Sequence, residues 1–199
     1  MATPPHLLVL PASARSGSLN RSLAAAAATL ARGMGLQVSE YEPAALEMPL
    51  YNGDLERSAG MPAAARRLFD AIAASDGLLV VTPEYNGYPT PLFINAFDWL
   101  SRIEAAPPQP SGLALTAERP AALLSASPGV LGGQRSLNLV RGYLEGAFQM
   151  LVVPQQFALG KAHEAFDEQG LLRDPKAAAR VSQVLQAWAR LVRGQQALG

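Results

Sequence analysis

The sequence predicts an α/β fold in which helices cover both faces of an open, parallel, five-stranded sheet. Short apolar runs, typical of strands buried on both faces, alternate with segments that carry apolar residues at helical spacing. Strands separated by helices pair in parallel, because each crossover helix returns the chain to the same end of the sheet. The predicted strands cover residues 7–10, 36–41, 77–82, 120–125 and 150–153.

Five helices are predicted between and after these strands. The first begins near Asn20, and the second has Pro62 in its first turn. The predicted helices cover residues 20–34, 62–74, 90–103, 134–149 and 174–193. The Pro-rich segment 104–118 is expected to be an irregular connection, and segment 157–173 to be loop-rich, with an edge strand or a small excursion. A uniform composition without repeats favours one domain over residues 1–199.

Composition excludes several classes of function. The chain of 199 residues has no cysteine and two histidines, which excludes disulfides and thiolate catalysis and argues against a metal site. Its net charge is zero and it has no run of basic residues, so a nucleic-acid partner is not expected. It also lacks an apolar stretch of membrane-spanning length and a leader sequence, so a cytoplasmic protein that acts on a small molecule is expected.

The loop after the first strand has the composition of an anion-binding site. It lies between an apolar strand and a helix, whose first backbone N–H groups are unpaired and favour an anion. Its polar side chains are Ser13, Arg15, Ser16, Ser18 and Asn20. The hydroxyls can donate to phosphate oxygens and the guanidinium can neutralise a phosphate, whereas the alternative is that Ser18 or Asn20 only caps the helix. Neither dinucleotide nor P-loop glycine motifs are present, so a monophosphate is favoured.

Two more unusual loops follow the third and fourth predicted strands, at the same edge of the sheet. In open parallel sheets, ligands bind beyond the carboxyl ends of the strands. The first loop, residues 82–91, contains Tyr85 and Tyr88, whose rings can stack on a flat heteroaromatic ring, while backbone N–H groups near Asn86 can bond its carbonyls. The second loop, residues 125–135, is rich in glycine and can approach a ligand closely.

Five segments, taken in order, resemble the NADPH-dependent FMN reductase family, which includes bacterial quinone, chromate and azo-dye reductases. They are SARSGSLN (13–20), MPLYNGDLE (48–56), PEYNG (83–87), NAFDWLSR (95–102) and SPGVLGGQR (127–135). The resemblance extends over most of residues 6–153. It implies the flavodoxin-like fold, a three-layer sandwich with strand order 2-1-3-4-5.

The resemblance also implies FMN as the cofactor and NADPH or NADH as the co-substrate. The residues implied to hold the FMN phosphate are Ser13, Arg15, Ser18, Leu19 and Asn20. Those implied to line the isoalloxazine ring are Pro83, Glu84, Tyr85, Asn86 and Gly87. The opposite edge of the ring would be closed by Ser127, Gly129, Gly132 and Gly133, with Arg135 nearby for the nicotinamide nucleotide.

The implied activity is transfer of hydride from NAD(P)H through the flavin to quinones, flavins or similar acceptors, by a ping-pong mechanism. No side chain is assigned as catalytic and no metal is expected. Two alternatives are considered. A flavodoxin-type electron carrier usually presents a strongly acidic docking face, which the neutral charge of this chain does not favour. A flavin-free relative with a binding role is the other.

A homodimer or homotetramer is implied by the resemblance alone. Phe93, Phe97 and Trp99 supply apolar and aromatic surface that could serve either an interface or the core. In this family the helix that contains them resembles an oligomer contact, so Asp98 or Arg102 is expected to pair across it.

Overall fold

A computed structural model describes residues 3–198 of the chain. Its sheet has five strands, which are β1 (His6–Pro11), β2 (Gln37–Glu40), β3 (Gly77–Val81), β4 (Pro120–Ala126) and β5 (Leu151–Leu159). All neighbouring strands are parallel and their order is β2-β1-β3-β4-β5. The predicted fold class and strand order are therefore confirmed.

Seven α-helices connect and follow the strands. They are α1 (Leu19–Gly33), α2 (Gly53–Ala59), α3 (Ala63–Ala73), α4 (Pro91–Ser101), α5 (Gly112–Thr116), α6 (Gln134–Phe148) and α7 (Pro175–Gln196). The five predicted helices are confirmed with ends shifted by at most three residues. Helices α2 and α5 were not predicted, and α5 lies inside the segment expected to be irregular. Both are too short to show an apolar repeat, and each begins at a polar cap, Asn52 and Ser111 respectively.

The side chains of each central strand alternate between two hydrophobic cores, one on each face of the sheet. Leu7 and Val9 of β1 pack with α1 and α7 on one face. Leu8 and Leu10 pack with α3, α4 and α6 on the other face. Both faces are covered, and the strands are consequently apolar without a polar side, as the sequence indicated.

The fifth strand is the main correction to the prediction. The sequence placed it at residues 150–153 and began a loop at 157, whereas β5 runs from Leu151 to Leu159. Its middle contains Pro154 and two glutamines, which interrupt the apolar run. The structure accommodates the proline at an edge-strand irregularity, where the pairing with β4 shifts register. The guanidinium of Arg141 donates to the carbonyls of Val152 and Val153 there, so these acceptors remain paired.

Gly77→Ala should destabilise the fold because the sheet and helix α7 meet at this position without room for a methyl group. An added Cβ would lie 2.2 Å from the carbonyl oxygen of Pro120 and 2.9 Å from Nε1 of Trp188. We expect the free energy of unfolding, measured by urea denaturation, to fall by about 1–3 kcal/mol or more. Gly142→Ala is the control, since Gly142 is exposed on the outer face of α6, where an added Cβ would meet nothing within 4 Å and should raise stability by ~0.5–1 kcal/mol. Equal effects of the two changes would contradict this packing.

Candidate active site

The three unusual loops meet at the carboxyl edge of the sheet, as predicted. They enclose a cavity of about 250 Å³. Its lining residues are Ser13, Arg15, Ser18, Leu19, Asn20, Pro83, Glu84, Tyr85, Ala126, Ser127 and Pro128. The cavity lies where the chain leaves β1, β3 and β4, which is the position at which parallel sheets bind ligands.

The loop after β1 presents hydrogen-bond donors that the described chain does not use. Within residues 3–198, no hydrogen bond uses the backbone N–H groups of residues 13–17. Ser13 and Ser18 are almost fully buried, while the Arg15 side chain is exposed and reaches only the carbonyl of Gly17, at 3.4 Å. A cluster of unpaired N–H groups with two hydroxyls and one guanidinium is suited to a phosphate.

Asn20 has a structural role that the sequence did not show. Its Nδ2 donates to the carbonyl oxygen of Ala126 at 2.8 Å, and its Oδ1 accepts the Ala126 N–H at 2.9 Å. This paired contact joins the start of α1 to the end of β4. Ser18 caps α1 and accepts the N–H of Asn20, so the helix cap considered as the alternative is present. One amide hydrogen of Asn20 remains for the predicted contact with phosphate.

The loop after β3 is a tight hairpin turn that exposes two aromatic rings. Tyr85 and Tyr88 exchange backbone hydrogen bonds of 2.9 and 3.0 Å. Asn86 and Gly87 between them both have positive φ, of 54° and 87°, as a two-residue hairpin turn of type I′ requires. Both tyrosine rings are more than half exposed and therefore available to a ligand or a partner.

Glu84 connects the loop after β3 to the first turn of α6. Its Oε2 accepts the backbone N–H groups of Arg135 at 3.1 Å and Ser136 at 3.2 Å, and its Oε1 accepts from the Arg135 guanidinium. The residue before α6 is Gly133, which has no side chain to cap the helix, so Glu84 supplies that cap from another loop. Burial alone would raise the pKa of Glu84, but these hydrogen bonds and the Arg135 charge outweigh it and lower the pKa.

Two glycines of the loop after β4, Gly132 and Gly133, are required by packing within the protein. A Cβ at Gly132 would lie 2.6 Å from the Ala158 carbonyl carbon, and one at Gly133 would lie 2.0 Å from Oγ of Ser125. The sequence explained these glycines by close approach to a ligand, and the structure adds a packing reason for Gly132 and Gly133. Only the first residues of the loop, Ser127 and Pro128, line the cavity.

Nine of the fifteen predicted site residues line the cavity, and six lie outside it. The six are Asn86, Gly87, Gly129, Gly132, Gly133 and Arg135. Arg135 was predicted to meet the nicotinamide nucleotide, but its guanidinium is paired with Glu84. The sequence analysis missed Ala126 and Pro128 as lining residues. Ala126 is the last residue of an apolar strand and carries no polar signal.

The residues suggested for an oligomer interface lie mostly inside the protein. Phe93, Phe97 and Trp99 are fully buried, so they belong to the core. Asp98 accepts a hydrogen bond from the Tyr143 hydroxyl at 3.0 Å. The pKa of Tyr143 is raised, mainly by burial and to a smaller extent by the Asp98 carboxylate. Arg102 pairs with Glu56 at 3.3 Å. Both polar side chains therefore have partners within the chain.

Residues 3–198 contain neither a cluster of metal-binding side chains nor a helix that could span a membrane. No three histidine, cysteine, aspartate or glutamate side chains come together in this part of the chain in a way that could hold a metal ion. None of the helices described combines the length and the apolar character needed to cross a membrane.

Comparison with known proteins identifies the family. The model of the family described as NADPH-dependent FMN reductase matches residues 5–164. The chain belongs to the NADPH-dependent FMN reductase family. It is 36% identical over 193 residues to an NAD(P)H-dependent FMN reductase of Pseudomonas aeruginosa, with 94% of this chain and 97% of that protein covered.

Other relatives agree with this family assignment. A quinone reductase of Escherichia coli K12 is 33% identical over 165 residues, which cover 82% of each chain. Among solved structures, a flavoenzyme NAD(P)H:(acceptor) oxidoreductase from Paracoccus denitrificans superposes with a TM-score of 0.79 at 28% identity, over 96% of this chain and 98% of that one. The similarity therefore includes all five strands and the loops that form the cavity.

Glu84→Gln should reduce stability at neutral pH because it keeps the shape of the side chain and removes the charge that caps α6. The free energy of unfolding at pH 7 should fall by about 1–3 kcal/mol. Because the folded pKa of Glu84 is lower than its ordinary value of 4.5, its contribution is present above pH 4.5 and is lost as the pH falls through the lowered value.

Urea denaturation at a series of pH values between 7 and 3 measures this difference. The gap between wild type and Glu84→Gln should close toward pH 3. Glu145→Gln is the matched control, since Glu145 is an exposed partner of Arg141 at 3.3 Å. This substitution should change the free energy of unfolding by less than ~1 kcal/mol. A gap that stays constant over this pH range would show that the charge of Glu84 does not stabilise α6.

Proposed function

We propose that this protein is an FMN-dependent oxidoreductase that takes hydride from NAD(P)H and passes electrons to a small acceptor such as a quinone or a flavin. The observation that carries the proposal is the set of unused donors after β1, which suits the phosphate of a mononucleotide. The family supports it, as does the name of each relative described above. The same names support quinones and flavins as acceptors.

The cavity residues fit FMN in both charge and shape. Arg15, the hydroxyls of Ser13 and Ser18 and the free N–H groups of residues 13–17 would hold the phosphate. The cavity volume of about 250 Å³ is below the range of small-molecule sites, about 300–1,000 Å³, so it suits the phosphate end of the cofactor and leaves the ring near the open rim. Tyr85 lines the cavity and begins the exposed turn that contains Asn86 and Gly87.

The protein's contribution is placement, and no side chain acts as a general acid or base. When bound, FMN accepts hydride and releases electrons. The ionisable side chains that line the cavity are Arg15, Glu84 and Tyr85. Glu84 is held as a carboxylate by α6 and Arg135, which leaves it no proton to donate at neutral pH. Backbone N–H groups at the rim can stabilise negative charge that develops on a bound ring.

The open rim of the site supports a ping-pong order as part of the proposal. The nicotinamide nucleotide and the acceptor would enter through the same open rim, so the first product has to leave before the second substrate binds. A homodimer or homotetramer belongs to the same proposal. The support is two apolar side chains at this edge of the sheet, each more than half exposed, namely Tyr88 and Leu131.

The direct test is to mix purified protein with FMN, remove the excess and add NADPH under nitrogen. A yellow protein whose visible absorbance is bleached by NADPH and restored by a quinone would support the proposal. Double-reciprocal plots of initial rate against NADPH concentration, made at several fixed quinone concentrations, would give parallel lines if the order is ping-pong. A protein that retains no FMN and oxidises no NADPH when free FMN is supplied would contradict the proposal.

Arg15→Ala should weaken FMN binding, because Arg15 is the one cationic side chain among the residues in the range 3–198 that line the cavity. Charge-assisted hydrogen bonds contribute about 1.5–3 kcal/mol, so the dissociation constant should rise roughly ten- to hundredfold. Quenching of flavin fluorescence measures it. Arg21→Ala in the first turn of α1 is the control, since Arg21 faces Glu42 at 3.7 Å outside the cavity. Equal affinities of the two variants would contradict the assignment of Arg15 to the phosphate.

A further inference from the structure

A second cavity, of about 460 Å³, lies at the carboxyl end of β5 against the first turns of α7. Three of its lining side chains are cationic: Lys161, Lys176 and Arg180. They include both of the lysines in the chain. Asp174 also lines the cavity, but its carboxylate accepts the Lys176 backbone N–H at 2.9 Å and caps α7. The cavity thus concentrates positive charge in a chain whose net charge is zero.

These three cations are free to meet a ligand. Each of them is exposed, and none forms an ion pair with a residue in the range 3–198. Lys176 and Arg180 are four residues apart on α7, so they lie on the same face of that helix. Two ammonium groups and a guanidinium around one cavity can bind the oxygens of a phosphomonoester, which carries up to two negative charges.

The other walls of the cavity suit an aromatic base. Phe157 is partly exposed, and Val130 is one of the most exposed apolar side chains in the chain. An exposed apolar wall beside a cationic cluster matches a nucleoside that carries a phosphate, because the base needs a flat apolar contact and the phosphate needs cations.

The loop after β4 contributes a residue to each of the two cavities. Pro128 lines the first cavity and Val130 lines the second. Two residues of extended chain span at most about 7 Å, so the cavities are separated by the thickness of one loop. A long ligand that reacts at the rim of the first cavity can therefore extend into the second.

We propose that the second cavity binds the adenosine 2′-phosphate of NADPH, and that it gives the enzyme a preference for NADPH over NADH. This inference rests on the proposed function. Arginine is a recurrent partner of that phosphate in nicotinamide enzymes. Among the other cations near the site, Arg135 is paired with Glu84 and Arg15 lines the cavity assigned to FMN, so the second cavity is where free positive charge remains.

The test compares two double variants of helix α7 in their FMN-loaded form. Lys176→Ala/Arg180→Ala removes two charges from the cavity. Arg190→Ala/Arg193→Ala removes two charges from exposed positions further along the same helix and is the control. Calorimetric titration with NADP⁺ and with NAD⁺, which differ only in the 2′-phosphate, gives the dissociation constants. We expect the first variant to lose about tenfold or more in NADP⁺ affinity with NAD⁺ affinity unchanged, and the control to match wild type.

Two results would overturn the inference. One is a wild type that binds NADP⁺ and NAD⁺ equally, and the other is a first variant in which both affinities change to the same extent. Titration of flavin-free protein with adenosine 2′-phosphate and with adenosine separates this inference from the proposed function. If adenosine 2′-phosphate binds more tightly than adenosine and only the first variant loses the difference, the subsite stands even where no NADPH oxidation is found. If neither adenosine 2′-phosphate nor adenosine binds, the subsite is rejected, whether or not the protein binds FMN and oxidises NADPH.

Discussion

The paired hydrogen bonds between the Asn20 side chain and the Ala126 backbone are the contact on which the site depends. They join the start of α1 to the end of β4, across the strand β3 that lies between β1 and β4. Both groups are buried, so loss of either partner would leave an unpaired polar atom inside the protein. These two hydrogen bonds hold the loop after β1 at the edge of the sheet. The unpaired backbone N–H groups of residues 13–17 belong to this loop.

Glu84 plays a comparable role for the other two loops. It brings the loop after β3 against α6, whose first residues follow the loop after β4. The walls of the cavity are therefore held by polar contacts between segments that are far apart in sequence. A ligand that binds there meets donors that are already in place, which reduces the ordering that binding would otherwise require. Because these contacts hold the donors in place, the protein can supply position and charge while the cofactor supplies the chemistry.

Much of the fold could be predicted from the sequence, because its signals are local. Apolar runs at 7–10 and 77–82 predicted β1 and β3, and apolar repeats predicted the long helices. The strand β5 was placed too short because Pro154 and its neighbouring glutamines hide an edge strand, whose exposed side needs no apolar residues. Helices α2 and α5 were missed because one or two turns carry no repeat.

The candidate site was predictable in its location and less so in its contacts. The residue types after β1 and β3 indicated phosphate and ring binding, and nine of the predicted residues line the cavity. The pairing of Glu84 with Arg135 joins residues 51 positions apart, and that of Asn20 with Ala126 joins residues 106 apart. Contacts at such separation depend on the folded sheet and leave no pattern in the sequence. The packing reason for Gly132 and Gly133 is hidden in the same way.

The most direct test of the account is to compare the affinities of FMN and riboflavin for the wild-type protein by fluorescence quenching. The two ligands share the ring and the ribityl chain and differ only in the phosphate. If residues 13–20 hold a phosphate, FMN should bind at least about a hundredfold more tightly, since the loop offers several charge-assisted hydrogen bonds to it. Equal affinities for FMN and riboflavin would show that the loop after β1 does not recognise the phosphate, and would contradict the central claim.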